Sequence, residues 1–273
     1  MCSLVRDRRF GEEGALLSYG SYLRLATLLD QQRPQSGSAD GRDDHPAAHD
    51  ELLFITIHQV YELWFKLLLY ELGDARDLML AGEDYRPRLR LERAHTVEHV
   101  LLEQIDVLET MTPQDFLAFR ALLAPASGFQ SVQFREIEFL SGAKNAAFVE
   151  RLGHASDAER ERLRRRLDEP TLWDGYVTLL GKAGFDVRST ETRRSALIEV
   201  SQDRRSYGPL WDLAEALIKH DELCARWRTE HALMVERQIG TKSGTGGSTG
   251  APYLRKRLEL RFYPELWDLR SYL

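Results

Sequence analysis

The strongest apolar rhythm in the chain begins at Asp50 and runs to about Leu80. Its hydrophobic residues fall on almost every side of a helical wheel, which predicts a long helix buried in a core. Asp50 stands as its N-cap, and Ala81-Gly82 stops it. A second helical period covers Leu89 to Met111. Thr112-Pro113 then reads as an N-cap followed by proline at the first helical position, opening a short helix to about Leu123. Ala124-Pro125-Ala126-Ser127-Gly128 breaks that helix. Val132 to Leu140 is helical again, 170–184 and 189–200 give two moderate helices, and Tyr207 to Gln238 is the longest. Tyr19 to Leu29 is short and amphipathic, 1–18 is poorly anchored, and 31–49 is a polar loop rich in Pro, Gly and Ser. The segment from Pro252 to Leu273 carries one more short helix. No strand pair, hairpin or internal repeat interrupts this pattern. The expected fold is all-α, with 1–273 as one domain built on long helices. It has an N-terminal arm over 1–30 and a small charged helical insertion, 143–200 being a candidate subdomain.

Composition sharpens the picture. Nine prolines and 19 glycines among 273 residues are few, and they cluster, which leaves room for long helices. Lys and Arg number 37 against 43 Asp and Glu, a net charge of −6, so no general electrostatic attraction to nucleic acid or anionic membrane is expected. Cys2 and Cys224 are too few for a disulfide framework, a four-cysteine zinc site or a haem-attachment motif. The N-terminus lacks the apolar core of a secretory signal, so a reducing, cytoplasmic setting is expected. Leu52 to Leu72 is long enough to cross a bilayer, but His58, Gln59, Glu62, Lys66 and Glu71 interrupt it, which argues for a core helix and no membrane. The dense charges of 155–167 alternate in sign and read as a solvated helix face.

Chemistry must therefore come from a local site. Of eight histidines, His45 and His49 sit in or beside a loop, and His154 and His220 lie in charged contexts that single out neither. His95 and His99 have the i,i+4 spacing of a metal pair, but without HExxH or a third ligand they read as a solvated face. His58 lies in the apolar helix with Phe54 a turn before it, Tyr61 and Phe65 after it, and Glu51 and Glu62 on its other flank. It is either a satisfied core histidine or a neutral imidazole in an aromatic pocket; on the helix alone the core reading leads. His231 shares one face with Leu213, Leu217, Cys224, Trp227, Met234 and Val235. Such a histidine can hold haem iron from one side, or simply fill a core. Arg120, beside Phe116 and Phe119, reads equally as a carboxylate clamp or a surface arginine. The glycines at 244, 246, 247 and 250 follow a helix rather than a strand, and Thr249 stands where GxGxxG needs glycine. A mobile lid or a plain linker fits better than a nucleotide cradle.

Together the segments HDELLFITIHQVYELWFK (49–66), TPQDFLAFRALLAPASGFQSVQFREIE (112–138) and IGTKSGTGGSTGAPYLR (239–255) resemble the tryptophan 2,3-dioxygenases. YGSYLRL (19–25) and FYPELWDLRSYL (262–273) extend the resemblance along nearly the whole chain. It implies an all-helical homotetramer that carries haem b with ferrous iron. With O2 as co-substrate, such an enzyme cleaves the indole C2–C3 bond of L-tryptophan to give N-formyl-L-kynurenine. By position, His231 resembles the axial iron ligand and His58 the distal histidine that meets the indole N–H. Phe54, Ile55, Thr56, Ile57 and His58 resemble the substrate-pocket segment, with Phe54 packing on the indole. Arg120 resembles the partner of the substrate carboxylate, and Thr245 the threonine that meets the amino-acid group as the loop closes. Ser127 resembles a residue near the haem. Tyr19, Tyr22 and Leu23 resemble the N-terminal residues that reach into a neighbour's pocket. Phe116 stands where some bacterial members have tyrosine, which implies a lost hydroxyl contact rather than a lost activity.

Two other functions compete with that expectation. A relative with the same haem pocket could insert one oxygen into tryptophan or a modified tryptophan, giving a 2-oxindole-type product. A non-catalytic haem or tryptophan sensor could share the scaffold, although it has no need to keep Phe54, His58, Arg120 and Thr245 together.

Overall fold

A computed structural model describes residues 17–37, 47–153, 155–247 and 249–273. Among the described residues there are helices and no strand, so the fold is all-α. Two short helices come first, α1 (Tyr19–Tyr22) and α2 (Leu25–Leu28), followed by the long α3 (Glu51–Ala81) and α4 (Arg86–Leu108). Next come α5 (Pro113–Leu123), a 3-10 turn at Gly128–Gln130, α6 (Val132–Ser141), α7 (Ala147–Arg151) and α8 (Asp157–Asp168). The chain continues through α9 (Leu172–Lys182), α10 (Thr190–Gln202) and the longest helix, α11 (Arg204–Ile239), then α12 (Ala251–Arg255) and α13 (Pro264–Leu269). The charged residues of 1–16, together with Cys2, His45 and His154, lie outside the described residues.

The core forms where α3, α4, α9 and α11 meet. Leu72, Ala75 and Met79 of α3, Leu91 and Ala94 of α4, and Leu213, Ala214 and Leu217 of α11 are fully buried there. Truncating a leucine at such a position leaves a cavity and costs about 2–5 kcal/mol. Helix α9 approaches α3 over Gly175, where a Cβ would lie 3.1 Å from the Met79 Cβ and 3.2 Å from the Arg76 carbonyl oxygen. Although α3 is long and apolar enough to span a bilayer by length and composition, it packs here against α4, α6 and α9.

The start of α3 differs from the sequence expectation. Asp50 makes no side-chain capping bond. The buried Glu51 instead accepts hydrogen bonds from the Gln35 N–H (2.7 Å), the Ser36 N–H (2.9 Å) and the Ser36 hydroxyl (2.5 Å). An acid in the first turn thus ties the preceding segment onto the helix rather than capping it. Thr112 does cap α5, accepting from the Asp115 N–H at 3.2 Å, with Pro113 at the first helical position. The amphipathic stretch 19–29 splits into α1 and α2 because Arg24 takes a left-handed backbone conformation (φ 51°).

Residues 143–200 divide between two cores. Helices α9 and α10 contribute Leu172, Tyr176, Leu197 and Val200 to the main one. Helices α7 and α8 pack Phe148, Val149, Leu152 and Leu163 on Val132 and Phe139 of α6, as a smaller cluster. Helix α8 buries only Leu163, in line with its expected solvated face, and its Arg162 reaches Glu136 of α6 at 2.9 Å. The C-terminal segment is held by the buried Asp221, whose Oδ2 accepts from the N–H groups of Phe262 (2.7 Å) and Tyr263 (3.1 Å) and from the Trp267 indole (2.9 Å).

Candidate active site

Helices α3 and α5 build one wall of the site. One helical turn separates Phe54 from His58, and the His58 Nδ1–H donates to the Phe54 carbonyl at 2.7 Å. That bond assigns the tautomer and leaves Nε2 with a free lone pair. The imidazole rests 4.1 Å from the Phe54 ring centre. Phe54 stacks on Phe116 at 5.6 Å and meets the edge of the fully buried Phe119 at 5.6 Å. Burial pushes the His58 pKa down, against smaller upward pulls from the Phe54 carbonyl and Glu62. His58 is therefore neutral and can accept a hydrogen bond.

Helix α11 supplies the second histidine. The His231 ring lies parallel to the Trp227 indole, one turn earlier, with ring centres 4.9 Å apart and planes 6° apart. Trp227 is itself wedged against Phe134 (5.2 Å) and Tyr61 (6.1 Å). Burial first, and the His58 imidazole second, lower the His231 pKa to about 4. His231 makes no hydrogen bond to any described residue. A neutral, half-buried imidazole with no hydrogen-bond partner among the described residues keeps its ring nitrogens available. It is a good ligand for haem iron, which takes a neutral imidazole nitrogen from one side. The second neutral imidazole, His58, and the aromatic rings beside both histidines complete a set of side chains that fits haem.

The glycine loop closes a third side. The Arg120 guanidinium donates to the Ser243 carbonyl, and the Thr245 hydroxyl donates to the Ala126 carbonyl at 2.6 Å. Gly246 lies so close to Ser127 that a Cβ on it would be 2.6 Å from the Ser127 Cβ. Any larger residue at 246 would push the loop off the 124–131 turn. Ser127 keeps that turn in shape by accepting from the Phe129 N–H at 3.3 Å, and Phe129 meets the edge of Tyr253 at 5.1 Å. The loop at Ser243–Gly246 is thus seated on the 124–131 turn, with Arg120 and Thr245 bound to backbone carbonyls.

The structure brings Phe54, His58, Phe116, Arg120, Ser127, Thr245 and the turn before His231 into one neighbourhood. It spreads the rest of the predicted run around the helix. Ile55 is half-buried, Thr56 is exposed, and Ile57, at 7% exposure, belongs to the core. Tyr19, Tyr22 and Leu23 are 77%, 72% and 41% exposed on the N-terminal arm. Among the described residues, no side-chain hydrogen bond or ring contact joins them to these site residues. The segment that follows is tied to α3 by Glu51, and again where the Gln32 amide donates to Gln59 Oε1 at 2.6 Å and Gln59 donates to the Gln31 carbonyl at 2.9 Å.

Three side chains have surroundings that local sequence does not display. Trp227 reads in the sequence as part of an apolar stripe, and its i,i+4 spacing to His231 already predicts ring contact. His95 does not lie on a solvated face. It bonds the Ala216 carbonyl at 2.9 Å, because α4 packs along α11, while His99 is exposed as expected. His220 is fully buried and joined to Glu98 and Ser141, a correction to its reading as an undistinguished residue in a charged stretch.

Comparison with known proteins gives a consistent result. The family model for tryptophan 2,3-dioxygenase matches residues 6–184 and 177–273. A tryptophan 2,3-dioxygenase from Nocardioides sp. is 57% identical over 268 residues, covering 97% of each chain. One from Herpetosiphon aurantiacus is 43% identical over 265 residues, covering 93% of this chain and 98% of that protein. Another, from Burkholderia ambifaria, is 38% identical over 271 residues, covering 94% of this chain and 84% of its own length. A match of this extent, reaching from the N-terminal arm to the last helix, places the chain in the tryptophan 2,3-dioxygenase family.

Proposed function

We propose that this chain is a haem-dependent dioxygenase that adds O2 to L-tryptophan, opening the indole C2–C3 bond to give N-formyl-L-kynurenine. The observation that carries this reading is the pair of neutral imidazoles, His58 on α3 and His231 on α11, near enough to influence each other electrostatically within a chain of this family. His231 would hold ferrous haem b, which when bound supplies O2 activation.

The remaining work falls to the chain's own residues. Phe54, Phe116 and Phe119 form an apolar slot matched to a planar indole. His58 Nε2 accepts the indole N–H and fixes the ring's orientation. The N–H proton need not leave, so His58 acts as a positioning partner rather than as an obligatory base. Arg120 exchanges the Ser243 carbonyl for the substrate carboxylate, a charged acceptor that binds a guanidinium more strongly than a neutral carbonyl does. Thr245 then turns from the Ala126 carbonyl to the amino-acid group, and the seated loop excludes water. Phe116 carries no hydroxyl, so the slot holds the indole by shape alone on that side.

The exposed Tyr19, Tyr22 and Leu23 have the size and apolar character to complete a neighbouring subunit's pocket, which supports a homotetrameric assembly. The reading further includes a single domain over 1–273, a cytoplasmic location and a place in tryptophan catabolism. The test is turnover by reduced, haem-loaded protein in air with L-tryptophan. Appearance of N-formylkynurenine absorbance supports the reading. Haem and tryptophan binding without any turnover would return the sensor function.

A further inference from the structure

Away from the His58–His231 pocket, α4 and α11 bring three metal-ligating side chains together in the core. Glu98 comes from α4, and His220 and Cys224 lie one turn apart on the same face of α11. Their donor atoms all fall within 4.8 Å of one another. His220 Nδ1 bonds Glu98 Oε1, and the Cys224 Sγ lies 3.8 Å from that oxygen and 3.9 Å from Nδ1. We propose that Glu98, His220 and Cys224 form a second metal site that binds one Zn²⁺ and pins α4 to the helix carrying His231.

Several independent features support a built site. In a tetrahedral zinc centre with bonds of about 2.0–2.3 Å, neighbouring donors sit roughly 3.2–3.6 Å apart. The two sulfur edges are already close to this, and only the Glu98–His220 pair must open, by about 1 Å. The far nitrogen of His220 is held at 2.8 Å by the Ser141 hydroxyl, fixing the ring and leaving Nδ1 as the ligand. Glu98 is 4% exposed, and its Oε2 has no hydrogen-bond partner among the described residues. A buried carboxylate oxygen left bare is costly, and a cation would satisfy it. Glu98 and Cys224 also line a cavity of about 30 Å³, enough for a water as the fourth ligand.

The charges balance as well. In the metal-free protein, burial lowers the His220 pKa, but the Glu98 carboxylate beside it outweighs this and holds the imidazole protonated. Burial keeps the Cys224 thiol protonated. Zinc would displace the proton from His220 Nδ1 and the proton from Cys224 Sγ, releasing two protons. One carboxylate and one thiolate then neutralise the dication around a neutral imidazole. Affinity must therefore rise with pH. The mixed N, S and O donors favour zinc over magnesium or calcium. The site is separate from the haem ligand, because Cys224 and His231 are about two helical turns apart on α11.

The test is metal content of the haem-loaded protein after exposure to excess Zn²⁺ and desalting. We expect one zinc per chain in the parent and in Cys2→Ser, and none in Cys224→Ser or His220→Gln. In His231→Ala, zinc should remain while iron is lost. Zinc-edge X-ray absorption on the folded Cys2→Ser protein should show a single sulfur ligand at about 2.3 Å with nitrogen and oxygen near 2.0 Å. That readout stands even where the ligand variants fail to fold. Zinc at background level in the parent, or a bound zinc with no sulfur ligand, would overturn the proposal.

Discussion

Helix α11 carries two inward-facing histidines about three turns apart, and they are in opposite states. At His220, Glu98 and Ser141 take the two ring nitrogens, and the imidazole is charged despite complete burial. At His231 the neighbours are the Trp227 ring and the His58 imidazole, and the imidazole is neutral, its pKa near 4. Burial pulls both pKa values down, so burial alone does not decide the outcome. The nearest charged or titratable partner does: a carboxylate restores the charge, and a second imidazole lowers the pKa further. A carboxylate beside His231 would set a proton in competition with iron for the same nitrogen. The aromatic setting keeps that nitrogen available.

The largest effect that would break this contrast is at its neutral end. His231→Ala should abolish haem retention and bring tryptophan turnover to background, read as iron per chain and product formed. Haem held at full stoichiometry would remove the ligand assignment. At the charged end, Glu98→Gln takes one partner from a buried pair. It should lower the unfolding free energy by about 3–5 kcal/mol in denaturant titrations while leaving haem per folded chain intact. An unchanged midpoint would mean that His220 is not held as a cation.

Next in size is Arg120→Ala. Losing a guanidinium–carboxylate contact should cost about 2–3 kcal/mol in kcat/KM, roughly 30- to 150-fold, chiefly through KM. Folding should be unaffected, since the guanidinium holds only the Ser243 carbonyl in the substrate-free chain. The smallest change is at His58, where a neutral hydrogen bond is worth about 1 kcal/mol, so His58→Ala should lower kcat/KM roughly fivefold. The difference should vanish with 1-methyl-L-tryptophan, which has no indole N–H to offer. The pH profile follows from the depressed His58 pKa. The accepting, neutral form persists below the ordinary histidine value of 6.5, so kcat/KM should be level through neutral pH and fall only on the acid side of that value. A fall beginning above pH 7 would contradict a neutral His58.

The long helices and the Thr112-Pro113 start were legible because apolar period and capping chemistry are local properties of the chain. So was the Phe54–His58 turn, and so were the glycines that let the 240–250 loop press on Ser127. His231 was legible as a position on an apolar face, but its role came from resemblance, since a core histidine leaves the same local pattern. What could not be read were the contacts between distant segments. Glu98 and His220 meet only because α4 packs along α11, and neither residue's neighbours in sequence hint at the other. The Glu51 tie to Gln35 and Ser36 is of the same kind, and it displaced the expected Asp50 cap. Arg120 also depended on the fold, because only the returning loop supplies the Ser243 carbonyl that marks its binding direction.

The most direct measurement is the mass of the product made from L-tryptophan by the reduced, haem-loaded protein under isotopically heavy O2. Incorporation of both labelled oxygens with the indole ring opened, giving N-formyl-L-kynurenine, is the expected result. A product with a single added oxygen and the ring closed, such as an oxindole, would contradict the dioxygenase assignment.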